Sequence, residues 1–496
     1  MYKYIAIDDG STLNHLGNDI LDIYPKNAIY DIKMRRIFKV CNPPSQINIG
    51  SEGHVESNHT LEGIIVFLRH GDRGPMSHVR NISNVHCDGD LVEPSSLAAN
   101  PLYPAFKAFM HNLSVPGNRP AGAEKFLGTF NDFQLYPPLS GKCQLGQLTP
   151  VGLSQILKIG HILKQAYADR LGLVNGTLTR ENTRLYTTRY RRTVQSAIAF
   201  LTSFLSPEDV LKMSLQESYS VSFCFDDCAC PAVEKYSHDF ARERAEHFKS
   251  HPAVINLVRE AAGIVYDNDI DSTPLRNDPH SLRDAFLTYV CHGAPLPCVE
   301  TIDNKEVCIH IEQVTGLFAY TEWEAKQYAK STSLKRSCLL RAYGVLRNVV
   351  SHMVSMISEK KPKLVLYSGH DMTLQYLTTA LGVLSEFTAT PYYASRLIIE
   401  VYKDNDFNSV QSAREYFFRL VYNGRDLTNR IHFCKGRERL MVQNDLSDDV
   451  NSSESPFRKQ SQAYLCPIES IIRFLHDDYF TSFNATNFKD ACAIHS

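Results

Sequence analysis

Two short apolar runs, each ending in charge, organise this chain. Ile64-Ile65-Val66-Phe67-Leu68 is closed by Gly71, Gly74 and Pro75, and five consecutive large apolar residues predict a strand buried on both faces. Leu364-Val365-Leu366-Tyr367 repeats the design and is followed by Ser368-Gly369-His370-Asp371. Leu374, Leu377 and Leu381 then recur at helical spacing, which predicts a helix starting just beyond Asp371. Residues 152–168 carry Ile156, Ile159, Leu163 and Tyr167 on one helical face. From 60 to about 205, strands alternate with helices. Residues 206–360 read as mostly helical, with 323–357 the longest stretch, and are expected to cap a site. After 364 the sheet resumes, with 396–402 and 415–422 as a strand pair and a turn at Asn423-Gly424. Residues 1–58 are expected to be a poorly ordered leader, and the one polar low-complexity tract is 447–455. The pattern is that of an α/β chain.

The charged residues fall where an open α/β sheet places its ligands, at the carboxyl ends of the strands. Arg69-His70-Gly71-Asp72-Arg73-Gly74-Pro75 sets two guanidiniums four residues apart around an imidazole, in a turn loosened by glycine. That arrangement suits a tetrahedral dianion, because arginine binds phosphate oxygens in bidentate fashion while the histidine reaches phosphorus. A strand ending in a solvated basic turn explains an isolated Arg-His-Gly equally well, but not the full seven-residue pattern. At the second strand end, the helix beyond Asp371 offers free N–H groups and a positive dipole end to an anion. A lone His-Asp pair carries little weight, since Asp often caps helices. Two strands that each end in a histidine carry more.

These residues resemble the histidine acid phosphatases. Arg69-His70-Gly71-x-Arg73-x-Pro75 is similar to that family's nucleophile motif and His370-Asp371 to its proton-donor motif. Leu148-Thr149-Pro150-Val151-Gly152 resembles its Leu-Thr-x-x-Gly segment, and Arg192-Thr193-Val194-Gln195-Ser196-Ala197 its Arg-Thr-x-x-Ser-Ala helix start. The resemblance spans about residues 60–492. It implies a doubly wound α/β/α sandwich of the phosphoglycerate mutase-like kind with a helical cap, and phosphomonoester hydrolysis through a phosphohistidine. His70 would be the nucleophile and Asp371 the proton donor, with Arg69, Arg73 and His370 on the phosphate, and neither metal nor cofactor is implied.

Stretches away from these motifs narrow the likeness to the 2-phosphoxylose phosphatases of glycosaminoglycan synthesis. Among them are Cys143-Gln144-Leu145-Gly146-Gln147-Leu148-Thr149, Cys228-Ala229-Cys230-Pro231, Tyr422-Asn423-Gly424-Arg425-Asp426-Leu427-Thr428 and Asp490-Ala491-Cys492. The implied partner is a phosphorylated sugar or glycan. One position departs from the family. Its third phosphate-binding arginine lies six residues before the Arg-Thr pair, where this chain has Tyr186. Arg184 and Arg189 are out of register, and Arg189, Arg191 and Arg192 read as a partly solvated basic helix entry. The site is left to hold phosphate with fewer arginines or to borrow one.

Composition adds limits. The 496 residues carry a net charge of −2 with pI near 6.8, so no broad basic face for nucleic acid is indicated. That balance also mildly disfavours a highly phosphorylated substrate such as inositol hexakisphosphate. Thirteen cysteines suggest several disulfides in an oxidising compartment and leave at least one thiol over. The groups Cys224, Cys228, Cys230 and Cys291, Cys298, Cys308 are less suited to zinc because paired Cys-x-x-Cys spacing is missing. Asn-x-Ser/Thr sequons at Asn58, Asn81, Asn112, Asn175, Asn451 and Asn484 fit a secretory route. Residues 1–50 hold no apolar stretch of membrane length, so the Golgi anchor implied by the 2-phosphoxylose branch is expected upstream of Met1. A catalytically inactive binding protein of the same fold is the alternative class, and intact Arg69, His70, Arg73, His370 and Asp371 argue against it.

Overall fold

The computed structural model describes residues 37–55, 58–88, 97, 100–135, 142–173, 178–266, 277–300, 302–385, 388–406, 415–434, 440–443 and 462–493. The tract 447–455, the sequons at Asn175 and Asn451, and residues 1–36 of the expected leader lie outside them.

The strands are β1 (His59–Arg69), β2 (Thr183–Thr188), β3 (Leu215–Ser218), β4 (Cys298–Glu300), β5 (Glu306–Cys308), β6 (Leu364–Gly369), β7 (Arg396–Asp404), β8 (Tyr416–Tyr422), β9 (Arg425–Asp426), β10 (Leu440–Gln443) and β11 (Gln462–Pro467). One sheet runs in the order β10-β11-β8-β7-β1-β6-β2-β3, with β9 beside β8, while β4 and β5 form a separate ribbon. β1, β6, β2 and β3 are parallel, and β7, β8, β11 and β10 extend the sheet in antiparallel fashion. Asn423 and Gly424 join β8 to β9, both with positive φ, as a two-residue hairpin of the twist-matched kind.

Eight helices matter for the site: α1 (Pro150–Tyr167), α2 (Arg191–Phe204), α3 (Pro231–Lys249), α4 (Pro252–Val265), α5 (Pro279–Cys291), α6 (Ile311–Tyr328), α7 (Thr332–Ser358) and α8 (Asp371–Ala380). β1 is buried on both faces because helices cover both. Ile64, Val66 and Leu68 share a core with Ile156 and Leu163 of α1 and Phe200 of α2. Ile65 and Phe67 share another with Val345, Val349 and Met353 of α7 and Leu374 and Leu377 of α8. The alternation of side chains along a strand produces this division. The result is the doubly wound sandwich that the sequence suggests.

Three boundaries differ from the sequence reading. Residues 206–218 belong to the sandwich, since β3 pairs with β2. The expected helix at 323–357 is two helices, α6 and α7, because the Ser331 hydroxyl accepts the Leu334 N–H and starts a new helix. α7 packs on the sheet, so the separate apolar core of the cap comes from α4, α5 and α6, through Val258, Phe286 and Leu317. Residues 37–55 are no loose leader. Ile37 and Val40 are buried in the cap core, Cys41 is bonded to Cys291, and Glu52 pairs with Arg396 at 2.6 Å.

Six disulfides form: Cys41–Cys291, Cys87–Cys143, Cys224–Cys228, Cys230–Cys492, Cys298–Cys308 and Cys434–Cys466. Both cysteine groups weighed for zinc are thereby committed to disulfides. The thirteenth, Cys338, is a buried thiol, and burial pushes its pKa up to about 12, which disfavours the nucleophilic thiolate. Among the described residues no helix is long and apolar enough to cross a membrane.

Candidate active site

Parallel pairing brings the two histidines together. Arg69 is opposite Gly369 in the β1–β6 register, so His70 and His370 leave adjacent strands side by side, and the His70 N–H donates to Gly369 O at 3.0 Å. Their ring centroids are 5.5 Å apart and nearly perpendicular. β2 ends on the other side of β6, and its Thr188 Oγ1 lies 2.9 Å from His370 Nε2. Thr193 Oγ1 donates to a backbone carbonyl, to Tyr190 O at 2.8 Å or Thr188 O at 2.9 Å. Thr188 therefore donates to Thr193 and is left to accept from His370 Nε2–H.

The turn after β1 needs its glycine for space. A Cβ on Gly71 would stand 2.2 Å from Gly152 O, and one on Gly152 would stand 2.2 Å from Asp72 O. Here the Leu-Thr-x-x-Gly segment crosses the Arg-His-Gly turn backbone to backbone. Thr149, the N-cap of α1, fixes the crossing with a hydrogen bond to Asp72 Oδ2 at 2.5 Å. The Arg-Thr-x-x-Ser-Ala segment braces the same turn: Ser196 Oγ accepts from the Gly71 N–H at 3.4 Å and Ser368 Oγ donates to Thr193 O at 2.7 Å.

His70 Nδ1 lies 2.8 Å from Gly71 O, which can only accept, so Nδ1 carries the proton and Nε2 the lone pair. Burial, together with Arg192, Arg69, His370 and Arg73, holds the imidazole well below its usual pKa, in the neutral state. Burial and Arg192 also lower His370, to about 4. Arg69 donates to Pro391 O at 2.6 Å, stacks on Tyr393 at 4.4 Å and meets Asp371 at 3.1 Å. Asp371 is half-exposed and accepts from the Met372 N–H at 2.8 Å. Burial pushes its carboxyl up, but Arg69, Arg73, that N–H and His370 outweigh burial and hold it below the usual carboxylate range.

All five residues singled out from sequence are therefore brought to one end of the sheet. Two others, Arg192 and Asp284, were not legible as site residues. Arg192, expected in a solvated helix entry, exerts the strongest repulsion on His70; burial and Arg73 lower it to about 10, so it remains a cation at neutral pH. Tyr186 supplies no charge, since its ring stacks on Tyr367 at 4.9 Å and its hydroxyl meets His352 at 3.2 Å. Asp284, on cap helix α5, holds Arg73 in a fork at 2.8 and 3.0 Å. Its neighbour Arg283 is buried over the Phe318 ring at 4.9 Å, and its Nε and Nη2 have no hydrogen-bond partner. A desolvated cation–π contact contributes about 2 kcal/mol, less than the several kcal/mol that burying an unpaired cation costs. No local signal in the sequence marked Asp284. An arginine one residue from the Arg-Thr motif was the available hint for Arg192.

The histidine phosphatase superfamily (branch 2) profile matches residues 60–423. The chain belongs to that superfamily. It is 29% identical to human 2-phosphoxylose phosphatase 1 over 457 residues, covering 91% of this chain and 85% of that protein. It is 25% identical to counting factor 60 of Dictyostelium discoideum over 385 residues, covering 74% of this chain and 81% of that one. A Citrobacter braakii phytase structure aligns at a TM-score of 0.45 and 13% identity, covering 88% of this chain and 100% of that one. This histidine phosphatase is thus a phosphomonoesterase with a mixed central sheet and helices on both faces. Its six disulfides suit the oxidising lumen of the secretory pathway.

Proposed function

We propose that His70 Nε2 attacks the phosphorus of a phosphorylated sugar, with 2-O-phosphoxylose of the glycosaminoglycan–protein linkage region as the substrate. The observation that carries the chemistry is the His70 tautomer: Nδ1–H is tied to Gly71 O, leaving a neutral Nε2 lone pair beside three guanidiniums. Attack forms the N–P bond as the ester P–O bond breaks, giving a phosphohistidine, so that two easier displacements replace one. Arg69, Arg73 and Arg192 neutralise the equatorial oxygens, the dominant contribution in phosphoryl transfer. The leaving alkoxide takes a proton from Asp371. Water then attacks phosphorus, Asp371 accepts its proton, and inorganic phosphate departs.

Arg69 keeps Asp371 ionised. A bound phosphoryl dianion engages Arg69 and repels the carboxylate, raising its pKa toward protonation. The proton can also arrive on the substrate, because a phosphomonoester monoanion persists up to its second pKa of about 6. His370 lies close enough to join the phosphate shell, although its Nε2 is engaged by Thr188.

The sugar assignment rests on likeness to the 2-phosphoxylose phosphatases, which extends over 91% of the chain and beyond the active-site motifs. Operation in the Golgi lumen belongs to the same reading. Purified protein should release phosphate from a xylose-2-phosphate linkage glycan faster than from inositol hexakisphosphate or glucose 6-phosphate. Equal rates on the three would leave a general acid phosphatase, and a preference for the inositol ester an inositol-phosphate phosphatase.

A further inference from the structure

We infer that Arg283 binds a second anionic group on the leaving-group side of the substrate, a carboxylate or a second phosphate, so that the preferred esters are at least doubly anionic. The inference rests on the phosphomonoesterase reading of the His70 site and concerns what lies beside the reacting phosphoryl.

Arg283 is 8% exposed. Its guanidinium makes no hydrogen bond and no ion pair among the described residues, and Nε and Nη2 are shut off from solvent with nothing to donate to. Nη1 does not share that condition and is the edge that reaches solvent. One face of Phe318 replaces only a fraction of the hydration that five N–H donors give up on burial. An anion at the open Nη1 edge would offset that cost.

Its position indicates which ligand. Arg283 and Asp284 are consecutive on α5, and Asp284 grips Arg73. The 391–393 segment feels both cations: Arg69 donates to Pro391 O and stacks on Tyr393, while Arg283 lowers the Tyr392 hydroxyl's pKa against its burial. Arg69 is near enough to repel Arg283. Glu322 and Asp284 attract it without forming an ion pair. Arg69 has its own carbonyl, aromatic and carboxylate partners and faces the reacting phosphoryl. Arg283 has only the Phe318 ring, and its open Nη1 edge offers an anion subsite one cation removed.

The test compares matched esters in the full-length protein. One arm sets phosphoglycolate against its amide, and the other sets butane-1,4-diol bisphosphate against the monophosphate. Wild type should prefer the doubly charged member in at least one arm by about tenfold or more in kcat/KM, and the arm with the larger ratio identifies carboxylate or phosphate. Arg283→Met, which keeps the stem over Phe318, should collapse that ratio to within about twofold while leaving p-nitrophenyl phosphate turnover within about threefold. No preference in either arm, or a preference that survives Arg283→Met, overturns the inference. An equal fall on p-nitrophenyl phosphate also overturns it, by assigning Arg283 to the reacting phosphoryl or to folding. If Arg283→Met fails to fold, competition in wild type decides. Phosphonoacetate should inhibit more tightly than ethylphosphonate, or a bisphosphonate more tightly than its monophosphonate, and equal inhibition in both pairs overturns the inference. Wild type inert toward p-nitrophenyl phosphate would instead refute the phosphatase reading itself.

Discussion

Replacing Asp284 with Asn tests whether the cap sets Arg73, the arginine proposed to hold the phosphoryl group. The carboxylate holds Arg73 Nη2 at 2.8 Å and Nη1 at 3.0 Å and also accepts the Met76 N–H at 3.2 Å. The pair is largely sheltered, with side chains 9% and 22% exposed. Two charges about 4 Å apart attract by about 4 kcal/mol at an effective dielectric of 20. The exposed part of Asp284 and the desolvation of both groups reduce this to about 2 kcal/mol net. An Asn can accept one of the two bonds, and its NH2 opposes the other N–H, so Arg73 loses its fixed plane. Its remaining tie is the bond to Gly74 O at 2.9 Å. Since misplacement by about 1 Å costs on the order of 100-fold, kcat on p-nitrophenyl phosphate should fall about 30- to 100-fold, or about 2 to 2.7 kcal/mol. Binding of phosphate moves the other way. Removing a negative charge behind Arg73 strengthens attraction for a dianion, so the inhibition constant for inorganic phosphate should stay level or tighten. Steady-state kinetics with phosphate as inhibitor separate the two effects. Unchanged kcat, or weaker phosphate binding with kcat intact, would refute the positioning argument.

His70→Ala should abolish turnover, and rapid-quench labelling should trap an acid-labile, base-stable phosphoprotein in wild type alone; label retained in the variant would remove His70 as nucleophile. Asp371→Asn should slow alkyl phosphates far more than p-nitrophenyl phosphate, whose leaving group needs little protonation, and equal losses would assign Asp371 to binding. Because its surroundings hold the His70 pKa well below 6.5, kcat/KM should show no acid limb near pH 6.5, and should fall above about 6 as the ester loses its last proton; an acid limb near 6.5 would mean a solvated imidazole. Arg419→Ala leaves Glu400 and Asp426 buried without their cation, which should cost about 3–5 kcal/mol in denaturant unfolding, whereas a loss under 1 kcal/mol would show that water or another donor compensates them.

Local sequence was enough to place the candidate site at one end of the sheet. The β1 and β6 runs, the glycine-loosened turn, the helix start at Asp371 and the Asn423-Gly424 hairpin are all specified within about ten residues, by side-chain alternation, helical spacing and turn chemistry. What lay beyond its reach depends on contacts between distant segments. Asp284 meets Arg73 across 211 positions, Glu52 meets Arg396 across 344, and Cys41 meets Cys291 across 250. No periodicity or local propensity encodes such pairs, so residues 37–55 read as a loose leader although they are packed. The cap boundary was misplaced for a related reason: an amphipathic stripe on α7 looks the same whether it covers a sheet or another helix. Arg192 lies in a basic run that a solvated surface would also show. Only the crossing of the Gly71 turn over Gly152, with α2 packed against both, carries that guanidinium beside His70, where burial and its neighbours change what the charge can do.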